Sequence, residues 1–551
     1  GQASPDVRMS PCDRSSAQNC SRRSGAYPPC TRAHDCRRCA SRRQGAAPCG
    51  RSSLVAVCAF ALLGVASCFK AVTPVSHCLP KQEERKQSFM VRFPLYNDTI
   101  RELAMKELAR FEGHTYLDYT GSGVYQSSQL KAIYDDFDTH AYGNAHSQNP
   151  SADLTDQRLR EARELLLDFF NADAQQYSVV FTSGATGALK MVGEDFPWSP
   201  RSEFVYVRVN HNSVLGIREY AYAAGATFRA VSEEWVMQTL WERKHSAERV
   251  QATVASQSNA TVECLFAMPA KDNFAGMYYP NVWINDIQTY GLSDECRWRV
   301  LVDGAAYAPT RRFDLTEYHT DFLAISFYKM FGYPTGLGAL LLRNDDARIF
   351  NKVYWGGGTV VAAVCDSRWC KMKDNPSLRF EDGTVSFLSV VALKYGLDKL
   401  KAVGMSYIEQ HVSMLTTYLA EQLDALTHLN GRPVISRYGR WGEMPTGGIV
   451  NLNVMKPDGS YVSFSQVQQE AAANMIHLRT GCFCNPGACQ DYLGLSSDDI
   501  KHASDVRESC SDPTNPFGSK PLGSVRVSLG YLSTFEDVDN FIQFIRATYV
   551  M

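Results

Sequence analysis

A chain of 551 residues, 45% hydrophobic and 21% charged, is long enough for several domains and can bury a sizeable core, which excludes disorder for most of its length. Its formal net charge of -2 offers no basic excess for a nucleic-acid partner, so small-molecule chemistry is the expectation. Nine of the 17 cysteines precede Lys81 and the rest are thinly spread, which argues against a disulfide-dense framework for the main body.

Residues 1–53 are rich in Arg, Ser, Gly, Pro and Ala and lack an apolar period, a composition that buries too little surface to fold. Cys30, Cys36, Cys39 and Cys49 stand there without the regular spacing of ligands, and no metal is expected. Residues 54–69 (LVAVCAFALLGVASCF) form an apolar run with arginines upstream, short for a membrane span but suited to a targeting core or an anchor. The whole of 1–92 reads as a leader, with folded sequence beginning near Phe93. A helix is predicted over 99–111, capped by Asn97 or Asp98 and stopped by Gly113; a second starts around Asp153 with a stripe of Leu154, Leu159, Leu165, Leu166 and Phe169.

From Tyr177 the pattern changes to short apolar β runs at 179–182, 204–209, 226–231, 262–268, 300–303, 322–327 and 338–342, separated by helical stretches. Strands apolar on both faces and spaced by helices indicate a mostly parallel sheet between helical layers, an α/β fold. Strand candidates at 449–454, 476–479 and 524–529 then interleave with helices around 464–473 and 535–548, as in a smaller α+β domain, with a long surface loop over 496–521. The expected division is a leader at 1–92, a large domain at 93–400 and a small domain at 401–551.

Four stretches carry chemistry. FTSGATGALKM, at 181–191, ends a strand in small and hydroxyl residues and opens a helix, where freed backbone amides and the hydroxyls of Thr182, Ser183 and Thr186 suit an anion such as phosphate. LVDGAAYAP ends a strand in Asp303, and DFLAISFYKMFGYPTGLGALL ends another in Ser326, Phe327, Tyr328 and Lys329. A carboxylate and a lysine thus converge at the carboxyl edge of one sheet, where open α/β folds place ligands. An aldehyde cofactor needs a lysine to bond and an acid to keep its pyridine nitrogen protonated. Taken singly, Lys329 reads as a snorkelling surface lysine and Asp303 as a helix cap; together, behind the phosphate turn, they do not. Last, LRTGCFCNPGACQ surrounds Cys484 with the turn formers Gly481, Asn485, Pro486 and Gly487, which places a thiol on a loop.

These residues, with SFYKMFGYPTGLGALL, WGGGTV, RFEDGT, RTGCFCNPGACQ and GSVRVSLGYLSTFEDVDNFIQFI, resemble the class V aminotransferase family of pyridoxal-phosphate (PLP) enzymes over about 116–549. Within it the resemblance is to the cysteine desulfurases and the amino-terminal domain of eukaryotic molybdenum cofactor sulfurase. It implies fold type I of the PLP-dependent transferases, a mostly parallel sheet in a large domain plus a smaller α+β carboxy-terminal domain. It implies Lys329 as the lysine that bonds the cofactor aldehyde, Asp303 as the partner of its pyridine nitrogen, His211 stacked on its ring, and Ala185, Thr186 and Ser326 at its phosphate. Thr384 matches a residue that reaches the phosphate of a partner subunit, which implies a homodimer. Ala306 departs from the pattern, standing where many desulfurases have Gln or His, and cofactor-sulfurase-like members share such a small residue.

For catalysis the resemblance implies Lys329, His211 and Cys484, the last as the persulfide cysteine with Cys482 as the nearby alternative; metal binding by Cys482, Cys484 and Cys489 is a competing reading. Arg526 matches the arginine that grips the amino-acid carboxylate, and Arg479 is a second candidate. The implied reaction converts L-cysteine to L-alanine and leaves a persulfide, whose sulfur passes to molybdenum cofactor or to an acceptor protein. A related lyase such as a selenocysteine lyase, an aminotransferase, or a non-catalytic scaffold of the same fold are the alternatives. No nucleic-acid partner is expected, and a membrane only through the leader. The family is typically cytoplasmic, while 54–69 suggests an organelle or a membrane.

Overall fold

The computed structural model describes residues 81–245, 261–440, 442–508, 512 and 514–551. They belong to one compact unit, Cys78–Met551. The expected leader up to residue 80, with the apolar run and the early cysteines, lies outside the described residues. Among the described residues no helix is long and apolar enough to cross a membrane.

A short first strand, β1 (Thr115–Tyr116), pairs outside the main sheet. The next seven form that sheet: β2 (Tyr177–Thr182), β3 (Glu203–Val207), β4 (Thr227–Val231), β5 (Glu263–Pro269), β6 (Arg297–Asp303), β7 (Phe322–Ser326) and β8 (Gly338–Arg343), in the order β2-β8-β7-β6-β5-β3-β4. β8 runs antiparallel to both its neighbours, and the other pairs are parallel. The apolar runs explain the layering: Leu265, Phe266 and Ala267 of β5 and Val300, Leu301 and Val302 of β6 are wholly buried, which requires cover on both faces. The fold is that of the type I PLP-dependent transferases.

A hairpin of β9 (Val360–Ala363) and β10 (Cys370–Met372) follows. A second sheet takes β11 (Ile435–Tyr438), β12 (Ile449–Val454), β14 (Arg479–Gly481) and β15 (Ser524–Ser528) in the antiparallel order β11-β12-β15-β14, while β13 (Ile476–His477) pairs in parallel with β1. The single strand expected at 476–479 is therefore two. β1 offers an edge of only two residues, so the chain changes partner at Leu478 and continues on β15.

Other boundaries also move. Order begins before Phe93: Gln82–Arg92 is a helix whose Phe89 is buried and whose Arg85 pairs with Asp539, so KQEERK belongs to the folded body. The helix expected over 99–111 is Thr99–Glu107 followed by a 3-10 turn, and it is Asn97 whose side chain accepts the Thr99 N–H, at 3.0 Å, while the Asp98 side chain makes no cap. The second helix starts earlier, at Pro150, because Asn149 accepts the Ala152 N–H and proline suits a first turn. The expected loop at 496–521 contains a helix, Ser497–Ser504, closed by a capping box of Ser496 and Asp499.

One glycine is essential to the sheet edge that carries the site. Gly338 pairs with Thr182 of β2 and Ser326 of β7 at once, and a Cβ there would stand 2.4 Å from the Gly184 carbonyl carbon and 2.5 Å from the Ile325 oxygen. Both obstacles are backbone, so Gly338→Ala is expected to cost about 2 kcal/mol or more in a urea titration and to push the 183–186 turn off β8.

Candidate active site

β6 and β7 are adjacent, with Asp303 opposite Ala324, and their carboxyl ends present the predicted residues together. Asp303 closes β6, and its Oδ1 accepts the Ala305 N–H at 3.0 Å, which fixes the carboxylate. Ser326 ends β7 and leads into the Phe327–Phe331 helix that holds Lys329. Across the sheet, Ser183 begins the Gly184–Asp195 helix without a side-chain cap, so the amides of its first turn lack a side-chain acceptor. Thr186 hydrogen-bonds Ser213 at 2.9 Å, which ties this turn to the Asn212–Leu215 helix capped by His211.

A cavity of about 250 Å³ is lined by Ala185, Thr186, His211, Asp303, Ser326 and Lys329, with Ala306 also in its wall. Thr384 is not among them: it is exposed and lines a neighbouring cavity of about 560 Å³ that shares Ser183 and Gly336 with the first. Burial holds the Lys329 amine below the usual lysine range; Asp303 opposes this, while Arg526 and Arg479 add to it. Burial likewise lowers His211, again against Asp303 and with Lys329. The His211 Nδ1 accepts the Ser213 N–H at 3.1 Å, so a neutral ring carries its proton on Nε2. A buried amine with a lowered pKa, a fixed carboxylate, a neutral ring and open helix amides form a donor set that fits an aldehyde-bearing pyridine phosphate. Lys329 would hold its aldehyde, Asp303 its ring nitrogen and the 183–186 turn its phosphate.

The cysteine loop is held in an uncommon conformation. Phe483 and Cys484 have φ of 52° and 55°, the left-handed region that non-glycine residues seldom occupy. Three bonds hold it there: Asn212 N–H to the Cys484 oxygen at 2.7 Å, Asn273 Nδ2 to the Phe483 oxygen at 2.7 Å, and Asn485 Nδ2 to Asn273 Oδ1 at 3.0 Å. The structure corrects the reading of Cys482: it is joined to Cys489, their Cα atoms 5.8 Å apart, so Cys484 is the free thiol of the loop. With two of the three sulfurs bonded to each other, the three-cysteine metal reading also falls, and no metal-binding group occurs among the described residues. A second disulfide, Cys264–Cys296, lies between the starts of β5 and β6. Cys484 does not line the Lys329 cavity; it lines a separate apolar cavity of about 320 Å³ with Cys482, Cys489, Leu495, Ile500 and Leu522.

The two arginines meet across strands. Arg479 and Arg526 are directly opposite in the β14–β15 pairing, an arrangement that costs stability without an anion between them. Arg479 is exposed, whereas Arg526 is 1% exposed, with its guanidinium 4.6 Å from the Phe483 ring centre. Tyr328 and Asn485 also line the Lys329 cavity, as do Asn273 and Lys271, which were not singled out from the sequence. The sequence signal for Lys271 and Asn273 was AKDNFAG, which follows β5 at the same carboxyl edge as Asp303.

Lys271 is buried, and its Nζ donates to Thr310 Oγ1 at 2.7 Å and to the Gly447 oxygen at 2.6 Å. Burial pulls it down to about 7 from its ordinary value, with Asp272 opposing. The unfolded chain then binds more protons than the folded one between about pH 7 and lysine's ordinary pKa, so this group makes stability rise with pH through that window. Lys271→Met is expected to raise the urea midpoint at pH 7 and to flatten its rise toward pH 10, removing a slope of about 1.4 kcal/mol per pH unit inside the window.

The profile of the family described as Aminotransferase class-V matches residues 115–541. Two curated relatives are molybdenum cofactor sulfurases: that of Arabidopsis thaliana is 41% identical over 82% of this chain and 58% of its own length, and that of Homo sapiens is 40% identical over 81% and 51%. The chain thus spans between about half and three fifths of these relatives. Among solved structures, the apo cysteine desulfurase of Thermococcus onnurineus NA1 shares the fold with a TM-score of 0.63 at 20% identity, covering 81% of this chain and 97% of that one. Strand order, the lysine and aspartate at adjacent strand ends and a profile spanning both sheets agree: this chain belongs to the class V aminotransferase family.

Proposed function

We propose that this protein is a PLP-dependent cysteine desulfurase that converts L-cysteine to L-alanine, keeps the sulfur as a persulfide on Cys484 and passes it to molybdenum cofactor or to an acceptor protein. The observation that carries the reading is the free Cys484 on a strained loop whose next residue, Asn485, lines the cavity of Lys329, Asp303 and His211. The names of the relatives support molybdenum cofactor as the acceptor. Bound PLP supplies an electron sink that weakens the bonds around the substrate's Cα. Lys329 takes and returns the proton at Cα, a task suited to an amine held below its ordinary pKa. Arg526, with Arg479, binds the carboxylate. His211 covers one face of the site and, being neutral, donates only from Nε2. Cys484 Sγ, as thiolate, forms an S–S bond with the substrate's sulfur while the Cβ–S bond breaks, and its loop turns between the two cavities to do so. The electron pair stays with that carbon, which takes a proton to become the methyl of alanine.

The test is incubation of purified protein with PLP and L-cysteine, followed by measurement of alanine and of the Cys484 peptide by mass spectrometry after alkylation. One alanine and one persulfide on Cys484 per first turnover support the reading; alanine formed with Cys484 left as a thiol overturns it. A homodimer is part of the proposal. Thr384 lies outside its own chain's Lys329 cavity, and Tyr354, Val361 and Trp369 are 68%, 62% and 53% exposed on or beside the β9–β10 hairpin, an apolar surface suited to a second copy. Sedimentation at micromolar concentration that gives a monomer would remove this part.

A further inference from the structure

We propose that Asp118 is the resident anion of the substrate-carboxylate site, holding half of the Arg526 fork until an amino acid displaces it and thereby setting how strictly the site demands a carboxylate. This rests on the reading of Arg526 as the residue that grips the substrate.

A guanidinium grips a carboxylate best along one edge, through two parallel N–H groups. In Arg526 the Nη1 end is taken by backbone, donating to the Asn273 oxygen at 2.9 Å. The remaining side-on edge is Nε with Nη2. Nη2 donates to Asp118 Oδ1 at 3.0 Å, and Nε is buried without a partner. Asp118 therefore occupies one prong of the available fork and leaves the other open, a mismatch that a two-oxygen ligand would correct. The orphaned Nε is the more telling because Arg526 is 1% exposed: water cannot supply the missing acceptor, and such a group is costly to leave unmade.

Asp118 is placed to leave. Its backbone is anchored, bridging to Ser528 in parallel and accepting the Gly121 and Ser122 N–H groups at 3.0 Å, whereas its side chain is a quarter exposed and can swing toward solvent. Arg526 cannot follow, being fixed by Asn273 and by the Phe483 ring. Arg479, directly opposite on β14, adds a second positive charge to the same face, so the edge vacated by Asp118 still favours an anion. A buried guanidinium needs a counter-charge at every stage, and the exchange provides one: Asp118 before binding, the substrate carboxylate after it. An amine without a carboxylate cannot make the exchange. Each amino acid that enters, in turn, must compete with a carboxylate already in place, which weakens its binding.

The experiment compares holoenzyme of wild type, Asp118→Asn, Asp118→Ser, Asp118→Glu and Arg526→Gln, with L-cysteine and with cysteamine, which lacks the carboxylate. It also records the rise in melting temperature that L-alanine produces. The expected result is that Asp118→Asn lowers KM for L-cysteine by about tenfold with little change in kcat, leaves cysteamine as poor a substrate as before, and enlarges the L-alanine shift while melting lower without ligand. Asp118→Ser, which keeps a small acceptor without charge, should behave alike, and Asp118→Glu should return KM toward the wild-type value. An unchanged or raised KM in the neutral variants, or an L-alanine shift no larger than that of wild type, overturns the proposal. If Arg526→Gln leaves the preference for L-cysteine over cysteamine intact, the failure lies instead in the reading of Arg526, and the proposal falls with it.

Discussion

Lys329→Ala is expected to remove L-cysteine turnover by a factor of about 10⁴ or more while leaving the fold intact. The amine is held below the ordinary lysine range by burial and by Arg526 and Arg479, with Asp303 as its counterweight, a direction that favours its acting as base or nucleophile. Alanine removes that group without opening the sheet, because Phe327, Met330 and Phe331 of the same helix, all buried, still anchor it. Lys271 lines the same cavity and titrates low as well, but its Nζ is committed to Thr310 and Gly447, so it should not substitute. Alanine production and the visible absorbance of added PLP read the two halves of the expectation. A variant that keeps both would remove Lys329 from the site.

Cys484→Ser is expected to separate the two halves of the reaction, with cofactor binding retained and sulfur transfer lost by at least about 10²-fold. The substitution changes one atom on a loop whose hold on the large sheet runs through Asn212 and Asn273, so the architecture around Lys329 is untouched. Because Cys482 and Cys489 are bonded to each other, they should not rescue the variant. Persulfide on any other peptide in the Cys484→Ser protein would show that the acceptor had been misassigned.

The residues at strand ends were legible in the sequence for a simple reason. Lys329, Asp303 and the 183–186 turn each follow an apolar run, and an α/β fold sends such positions to one edge. Burial, hydrogen-bond partners and register were not legible, because they come from distant segments. Asp118 meets Arg526 over 408 residues of sequence, and Asn273 meets Phe483 over 210. Cysteine spacing could nominate Cys482 as easily as Cys484; the pairing with Cys489 is a matter of how the Pro486–Leu493 helix begins. The helix at Gln82–Arg92 was misread as leader because its stretch is highly charged, and only the packing of Phe89 against Phe535 and Tyr418 explains why it folds. Its ion pairs, Arg85 to Asp539 and Lys86 to Glu536, lie equally far along the chain.

That last contact bears on biosynthesis. Arg85 and Asp539 are separated by 454 residues, so the Gln82–Arg92 helix, which meets Tyr96 and Tyr418 earlier in the chain, is not fully covered until the Phe535–Tyr549 helix has been made. At ordinary elongation rates of about 5 to 20 residues per second, that interval is roughly 20 to 90 s. For that time Phe89, which ends 1% exposed, lacks its Phe535 cover, and closure of the two helices upon each other is a late event of folding. The same geometry makes the far end of the chain a condition for burying the near one: truncation within Phe535–Tyr549 should release Gln82–Arg92 to protease while the seven-stranded sheet stays protected.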